Sequence, residues 1–583
     1  MNVNQPIYTE QNNCQDCYKC IRHCPVKAIR ISNDCASVID EVCIACGKCV
    51  EVCPVKAKKV RSDLEVVKML IRNGKRVVVS LAPSWVSEFE GVAPSTLIAA
   101  IKRLGVFAVS ETALGAEMVN RNIRSTLLQS KGGVTISSAC PAIVDLVRKH
   151  YPQYYNLISP VLSPAQAHAQ YLRDYYGDDT HVVFVGPCIA KKRESDSNKQ
   201  IIDAALTFDE LRSWLDDEWI ELVPTAVNEE SYFEPVEAVS GAIYPVEGGM
   251  IEGIRRGMSG TDIHFMSFSG MDAVRQTLTG IEEWDSSSTL FLELLACAGG
   301  CINGPGVSHK KSIAVRRGVV AKSTLVKMKT VGPGNELIST VPIGMDPVSL
   351  PANGRTVHSS QDIAEALKAV GKLSVKDELN CGGCGYESCN DFAIAMLEGK
   401  AERNMCVSYM RRVAHDKATV LLQRIPSGVL LVDENLRVLE GNQNFARMLG
   451  SDAQLIFDVN PGMGGADVTK LVPFHKFFSL VLRTGKDIID RDVKLNDHLL
   501  KVSVFSVQQH KIVCAIVRDL YIPEVRSDEV VRRTRFIIKE NLETVQKIAY
   551  LLGENASRTE TMLNSILESF NGGFGDEDES ISC

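Results

Sequence analysis

Four cysteines in the middle of the chain have the residue type and the surroundings for metal chemistry. Cys297 and Cys301 lie four residues apart in the stretch 293–306, whose small residues and glycines let the backbone come close to a bulky group. Cys140 and Cys188 each follow a short apolar run rich in β-branched residues, which predicts a strand. Each cysteine would then lie at the carboxyl end of a strand, where open α/β sheets bind ligands. Four thiolates that converge there could hold one cubic iron–sulfur cluster.

The three segments that carry these cysteines resemble, in order, three signatures of the iron-only (di-iron) hydrogenases. The family patterns are T-S-C-C-P-x-W, M-P-C-x-x-K-x-x-E and E-x-M-A-C-x-x-G-C-x-x-G-G-G. The chain reads Ser-Ser-Ala-Cys-Pro over 137–141, Pro-Cys-Ile-Ala-Lys-Lys-Arg-Glu over 187–194 and Glu-Leu-Leu-Ala-Cys-Ala-Gly-Gly-Cys-Ile-Asn-Gly-Pro-Gly over 293–306. Three ordered signatures over about 170 residues make this a specific resemblance.

The resemblance implies a six-iron hydrogen cluster and a role for each matching residue. Cys301 would bridge the cube to a di-iron unit that carries carbon monoxide, cyanide and a bridging dithiolate. Lys191 would hydrogen-bond a cyanide ligand of that unit, and Pro83 and Ser84, in a matching Ala-Pro-Ser segment, would line the pocket. The cube itself would be held by Cys140, Cys188, Cys297 and Cys301.

The chain departs from the family around the catalytic face while it keeps the cluster ligands. Ala139 stands where the family has the cysteine that passes protons to the di-iron unit, and Gly186 and Leu295 replace two methionines. These departures resemble the sensory, slowly turning subgroup of the family. Glu252 aligns with a family glutamate near the pocket and could give a substitute proton route. The alternative for Glu252 is a carboxylate at a helix N-terminus, where the helix dipole stabilises it.

Residues 1–62 contain two copies of the spacing C-x2-C-x2-C-x3-C followed by proline. This is the pattern of bacterial ferredoxins with two 4Fe-4S clusters, in which the fourth cysteine of each run serves the other cluster. Structural zinc is the alternative. Cys35 lies outside both runs and is interpreted as a small, unligated apolar residue. The first cluster is assigned to Cys14, Cys17, Cys20 and Cys53, and the second to Cys43, Cys46, Cys49 and Cys24.

A third cysteine group lies within residues 352–410. Cys381, Cys384 and Cys389 precede a predicted helix, and Cys406 follows it. Glycines beside the first two cysteines permit a tight turn around a cube. The group resembles the small four-cysteine iron–sulfur domain of several anaerobic redox proteins, with zinc again as the alternative. Together with the hydrogen cluster, the sequence predicts four 4Fe-4S clusters and one di-iron unit.

The C-terminal part of the chain has the pattern of a sensor. A linker helix is predicted over 411–425, and residues 426–522 resemble a PAS domain, with Asn442 as a helix N-cap. The segment has no diagnostic haem or flavin ligand, so we interpret it as a relay module without a cofactor. Over 523–583, apolar residues alternate in steps of four and three for more than four heptads, before a tail that is expected to be disordered. The heptads favour a homodimer or a signalling partner over packing of one helix on its own chain.

The composition fits a multidomain globular protein. The chain has 583 residues, of which 45% are hydrophobic, and a net charge of −7 without a long block of like charge, which argues against nucleic acid binding. We find no membrane-spanning apolar run and no signal peptide pattern, so a cytoplasmic location is expected, where the 19 cysteines stay reduced. Alternating strands and helices over 63–351 predict parallel α/β layers, and the resemblance implies that these form two lobes. The fold class is therefore multidomain α/β and α+β, with ferredoxin-like, hydrogenase-like, four-cysteine and PAS domains and C-terminal helices.

Three functions remain open from the sequence. The first is a sensory hydrogenase that oxidises H2 slowly and reversibly, passes electrons to a redox partner such as ferredoxin and signals through its C-terminal part. The second is a hydrogenase-like protein of the cluster-assembly class without the di-iron unit, and the third is an electron-transfer subunit. Lys191, Glu194 and the Ala-Pro-Ser segment favour the first, because a plain cube does not require them.

Overall fold

The computed structural model describes two compact units, residues 1–402 and 403–583. The described residues are 5–33, 35–223, 232–256, 262–308, 311–331, 358–495 and 498–519, with a few further positions at 258, 339, 341–344, 534–535, 537–539 and 541. The predicted heptad segment therefore lies almost wholly outside the described residues. No helix in the described ranges is long and apolar enough to cross a bilayer.

The N-terminal part of the first unit is a small α+β domain with an internal repeat. Strand β1 (Ile7–Thr9) pairs antiparallel with β4 (Lys58–Val60), and β2 (Ile29–Ser32) pairs antiparallel with β3 (Cys35–Val38). The short helices α1 (Lys19–Arg22) and α2 (Lys48–Val52) each contain the third cysteine of a run. The two helices thus occupy equivalent positions in the two cysteine runs.

The next part of the first unit is built on two parallel sheets, as the alternation of strands and helices predicts. The strands are β5 (Val77–Leu81), β6 (Ala108–Glu111), β7 (Gly133–Ile136), β8 (His181–Gly186), β9 (Ala204–Thr207), β10 (Ile263–Ser269) and β11 (Thr289–Leu295). The four-stranded sheet has the order β6-β5-β8-β9, and the three-stranded sheet has the order β10-β11-β7.

Helices cover both sheets and bury their apolar strands, as parallel sheets require. A large core surrounds the four-stranded sheet and a second core surrounds the three-stranded sheet. The helices are α3 (Leu64–Arg72), α4 (Trp85–Glu88), α5 (Pro94–Arg103), α6 (Ala113–Gln129), α7 (Pro141–His150), α8 (Pro164–Tyr176), α9 (Ala190–Ser197), α10 (Phe208–Asp217), α11 (Gly249–Arg255), α12 (Met271–Leu278) and α13 (Ile313–Val331). The unit ends with α14 (Ser360–Ala369) and α15 (Cys389–Leu397).

The second unit begins with a long helix, α16 (Val407–Arg424), and continues into an antiparallel sheet. Its order is β13-β12-β16-β15-β14, so the first and last strands are neighbours at its centre. Asn442 caps a helix as predicted, because its Oδ1 accepts from the backbone N–H of Phe445 at 2.9 Å. The elements are β12 (Gly428–Asp433), β13 (Val438–Gly441), α17 (Gln443–Leu449), α18 (Ser451–Val459), α19 (Val468–Leu471), α20 (His475–Thr484), β14 (Ile488–Leu495), β15 (His498–Gln508) and β16 (Ile512–Asp519).

Candidate metal centre

The four cysteines that the sequence singled out line one cavity in the first unit. Cys140 follows β7 and caps α7, Cys188 follows β8, and Cys297 and Cys301 follow β11. The carboxyl ends of strands from both sheets therefore deliver the thiols, as the apolar runs before Cys140 and Cys188 predict. The cavity has a volume of about 100 Å³. Protein interiors are otherwise close-packed, so an internal space of this size indicates room for a bound group.

Burial disfavours ionisation of three thiols in this cavity, Cys188, Cys297 and Cys301. Burial raises the pKa of Cys188 to about 11 and that of Cys297 well above its usual value, and the neighbouring cysteines add to both effects. Burial also raises the pKa of Cys301, again with Cys140 and Cys188 acting in the same direction. Iron ions bound to the sulfurs would remove this cost, because a metal stabilises the thiolate. The donor set therefore fits an iron–sulfur cluster.

Polar atoms without a protein partner also face the cavity. Ser84 is 1% exposed, and its Oγ forms no hydrogen bond to any residue that the structure describes. The same holds for Oε2 of Glu293 and for the hydroxyl of Tyr244. Because a buried polar atom without a partner is costly, these three groups fit a polar ligand beyond the cube itself. A di-iron unit with polar diatomic ligands would meet that requirement.

Lys191 is held so that its ammonium group reaches the cavity. It lies in α9, just after Cys188, and only 7% of it is exposed. Its Nζ donates to Ser163 Oγ at 2.9 Å and to Glu194 Oε2 at 2.5 Å. Ser163 in turn caps α8. Two fixed acceptors therefore orient this cation, which leaves one N–H proton for a ligand in the cavity.

Of the remaining residues predicted at the pocket, the structure places three at the cavity and one outside its lining. Pro83, Ser84 and Ala139 line the cavity, and Ala139 presents a methyl group that can neither donate nor accept a proton. Glu252 does not belong to the cavity lining. Its side chain is 56% exposed in the first turn of α11 and pairs with Arg256 at 3.0 Å, so a proton role for Glu252 stays a prediction.

Glu293 is the acidic residue of the cavity wall, and sequence reasoning did not assign it a role. It lies in β11, is 2% exposed, and its Oε1 accepts from the backbone N–H of Met250 at 3.2 Å. Ser267, in the neighbouring strand β10, lies beside this carboxylate and is half-buried. Burial raises the pKa of Glu293 to about 7, against the hydrogen bonds, which lower it. The carboxyl group can therefore gain or lose a proton near neutral pH, between the cavity and a residue that reaches the surface.

The N-terminal domain meets the same cavity through its second cysteine run. Ala45 and Cys46 form part of the cavity wall. Gly47 has a φ of +79°, and a Cβ there would lie 2.5 Å from Pro305 Cβ, so glycine is required at this contact. The second predicted cluster would thus be contiguous with the four-cysteine cavity.

Basic residues of the part built on the two parallel sheets fix this junction. Lys149 Nζ donates to the carbonyl of Cys43 at 2.7 Å, and His150 Nε2 lies 2.8 Å from the carbonyl of Val42. Arg193 also donates to the carbonyl of Cys43, and it pairs with Asp40. These contacts hold the backbone just before and at the first cysteine of the run.

The backbone at both N-terminal runs has the form of a cluster-binding loop. Asp16 and Ala45, each two residues after the first cysteine of its run, have φ of +51°. Backbone N–H groups of Ala28 and Ala57 donate to Cys24 Sγ and Cys53 Sγ, each at 3.2 Å. All described cysteines are free. Equivalent strained turns and N–H···S bonds in both runs fit two equivalent clusters.

The third cysteine group divides between the two compact units. Cys381, Cys384 and Cys389 lie in the first unit, next to the N-terminal domain. A Cβ on Gly385 would lie 2.8 Å from Ile21 Cγ2, so this turn packs directly on α1. Cys406 lies in the second unit, where it caps α16. In the part of the chain that the structure describes, no three acidic, histidine or cysteine side chains are gathered tightly enough to ligate one metal ion.

Comparison with protein families identifies three matching segments. Residues 75–305 match the family of the iron-only hydrogenase large subunit, C-terminal domain. Residues 6–54 match the 4Fe-4S dicluster domain, and residues 377–408 match a family described as a putative Fe-S cluster.

Two curated relatives are hydrogenases. The chain is 26% identical to iron hydrogenase 1 of Clostridium pasteurianum, over 40% of this chain and 50% of that protein. It is 29% identical to the NADP-reducing hydrogenase subunit HndD of Solidesulfovibrio fructosivorans, over 42% of this chain and 52% of that protein. The chain thus spans about half the length of the curated relatives that it matches.

Solved structures give more distant matches. An FeFe-hydrogenase variant from Chlamydomonas reinhardtii is 17% identical, with a TM-score of 0.36, and covers 48% of this chain and 96% of its own. The PAS domain of an HTR-like protein from Haloarcula marismortui is 14% identical, with a TM-score of 0.14, and covers 19% of this chain and 94% of its own. From the family matches, the chain carries an iron-only hydrogenase large-subunit domain over residues 75–305, preceded by a 4Fe-4S dicluster domain over residues 6–54.

Proposed function

We propose that this protein binds H2 at a six-iron cluster, oxidises it slowly and reversibly, and reports the result through its C-terminal part. The observation that carries the proposal is the cavity itself. It combines four thiols with an oriented ammonium group and with unpartnered polar atoms that a plain cube would leave unused. When bound, the cluster would supply heterolytic cleavage of H2, and the cubes would take up electrons singly.

The residues around the cavity would divide the work of binding and proton movement. Cys140, Cys188, Cys297 and Cys301 would hold the cluster, and Lys191 would orient and stabilise its anionic ligands. Ala139 gives no proton relay, so Glu293 takes that place in our proposal. It would accept the proton on Oε2, the oxygen without a protein partner, and exchange it with solvent beside Ser267.

Slow turnover follows from this arrangement. Loss of a well-placed proton-transfer group costs roughly 10²–10⁴ in rate, and the family's thiol is absent at Ala139. Slow turnover suits a detector, because the protein then binds the gas and consumes little of it. Electrons would leave through the clusters of the N-terminal domain and of the Cys381 group, to a redox partner such as ferredoxin. A signalling partner or a second copy of the chain would receive the output from the PAS-like domain and the heptad segment.

Infrared spectroscopy on protein loaded by the hydrogenase maturation system tests the proposal. We expect carbonyl and cyanide bands, and about 18 iron atoms per chain, four for each of four cubes and two for the di-iron unit. About 16 iron atoms without carbonyl bands, in a fully matured sample, would instead support the cluster-assembly class. Bands that do not respond to H2 would contradict the sensing role.

A further inference from the structure

Lys58 is a buried lysine in the N-terminal domain that the proposed function does not use. It lies in β4, five residues after Cys53, and pairs with Thr9 of β1 in the antiparallel register. Only 3% of Lys58 is exposed, whereas the next residue, Lys59, is partly exposed and lies 3.7 Å from Glu10. Alternation along the strand thus sends one lysine into the domain and the other to the surface.

The hydrogen-bond partners of Lys58 are neutral. Its Nζ donates to Thr9 Oγ1 and to the carbonyl of Ala36, each at 2.6 Å. Among the residues that the structure describes, no carboxylate forms an ion pair with it. A buried cation without an anion is costly, and lysine is almost never buried this fully unless it is paired. An anionic group therefore has to lie close to Lys58 in the functional protein.

The two predicted clusters would be anionic groups close to Lys58, in a domain that also buries the carboxylate of Asp16. Burial raises the pKa of Cys20 to about 11 and that of Cys49 well above its usual value, and the charge of Lys58 opposes both effects. Cys20 is the third cysteine of the first run, and Cys49 is the third cysteine of the second. One cation therefore acts on a ligand of each cluster.

We propose that Lys58 raises the reduction potentials of both clusters of the N-terminal domain. A cubic cluster gains one negative charge when it is reduced, and a fixed positive charge nearby stabilises that reduced form. The lysine would thus make both clusters easier to reduce, as acceptors of electrons from H2 require. The proposal rests on two clusters in this domain and not on the hydrogen chemistry, so the two can fail separately.

The test is Lys58→Met, which keeps the length of the side chain and removes its charge. The full chain is reconstituted with iron and sulfide, without the di-iron unit, and titrated with dithionite while reduction is followed by electron paramagnetic resonance. We expect both N-terminal clusters to become about tenfold harder to reduce, a shift of about 59 mV to more negative potential for one electron. Lys59→Met removes the same charge from the outer face and should leave both potentials unchanged.

A second pair of variants decides the matter if Lys58→Met does not hold its clusters. Thr9→Asp places a carboxylate against Nζ and neutralises Lys58 in place, so the potentials should fall in the same direction. Asparagine has nearly the same shape as aspartate but no charge, so Thr9→Asn serves as the control. Unchanged reduction potentials in Lys58→Met or in Thr9→Asp would overturn the proposal. An equal fall in the matching control, Lys59→Met or Thr9→Asn, would also overturn it.

Discussion

Replacing Glu293 by glutamine tests the proton route most directly. The amide keeps the shape of the side chain and can still accept the hydrogen bond from Met250, but it cannot carry a proton. If Glu293 serves the cavity, H2 oxidation and H2 evolution should both fall by roughly 10²–10⁴, which corresponds to about 3–5 kcal/mol of barrier. The infrared bands of the cluster should be unchanged, because the variant leaves all four cysteines and Lys191 in place.

The pH dependence gives a second and independent expectation for Glu293. Burial raises its pKa from 4.5 to about 7, a shift of roughly 2.5 units, and each unit is worth about 1.4 kcal/mol. Between these pH values the folded state binds the proton more tightly than the unfolded chain does, so stability falls as the pH rises. The free energy of unfolding should fall by on the order of 3 kcal/mol over this pH range. Solvent screening does not reduce this figure, since Glu293 is only 2% exposed. Glu293→Gln should abolish this fall, and above pH 7 the variant should be the more heat-resistant protein.

Dye reduction by H2, measured from pH 5 to 9, is the assay. The wild-type rate should change with an apparent pKa of about 7, and that limb should vanish in Glu293→Gln. Glu247→Gln is a matched control, because Glu247 is a neighbouring carboxylate that hydrogen-bonds Ser269 and does not line the cavity. Glu252→Gln tests the other predicted route in the same experiment. Wild-type rates and an unchanged pH profile in Glu293→Gln, with intact infrared bands, would refute the reasoning.

Three further variants address other parts of the molecule. Ala139→Cys restores the family's thiol and should raise turnover modestly, since the rest of that relay must also be present; wild-type turnover equal to that of thiol-containing hydrogenases, with electron acceptor in excess, would contradict the slow-enzyme proposal. Gly47→Ala forces a left-handed alanine against a proline 2.5 Å away, which should cost the contact between the N-terminal domain and the cavity wall about 2–4 kcal/mol. Reduction of the N-terminal clusters by H2 should then be slower. Gly74→Ala, at a positive φ in open space, should leave that rate unchanged. Leu552→Glu with Leu563→Glu should break association through the heptad segment, and an unchanged mass by light scattering with unchanged partner binding would count against that interface.

The sequence predicted the parts of the site that depend on local spacing. The two cysteine runs, the strands before Cys140 and Cys188 and the cap at Asn442 are short-range patterns, and each is read from a few neighbouring residues. The parallel sheets followed from the alternation of strands and helices. These features need no knowledge of which elements pack together.

The features that the sequence did not reveal depend on contacts between distant segments. Glu293 belongs to a recognised motif, but its burial and its raised pKa arise only when α11 packs on β11. Glu252 has the same residue type and lies on that helix, yet its side chain points to solvent. Lys58 belongs to a basic stretch whose composition is typical of an exposed surface. Only the pairing of β4 with β1 determines that Lys58 faces inward while Lys59 faces outward.

The contacts that Lys149, His150 and Arg193 make with the backbone before and at Cys43 determine what kind of electron carrier the N-terminal domain can be. A domain on a free linker would have to swing between donor and acceptor, and its rate would fall as the solvent becomes more viscous. Here hydrogen bonds to backbone carbonyls hold the N-terminal domain against the part of the chain that forms the cavity. The domain therefore keeps a fixed position and does not move between an electron donor and an acceptor. Electron transfer from a cluster in the cavity to the N-terminal domain should therefore be independent of viscosity.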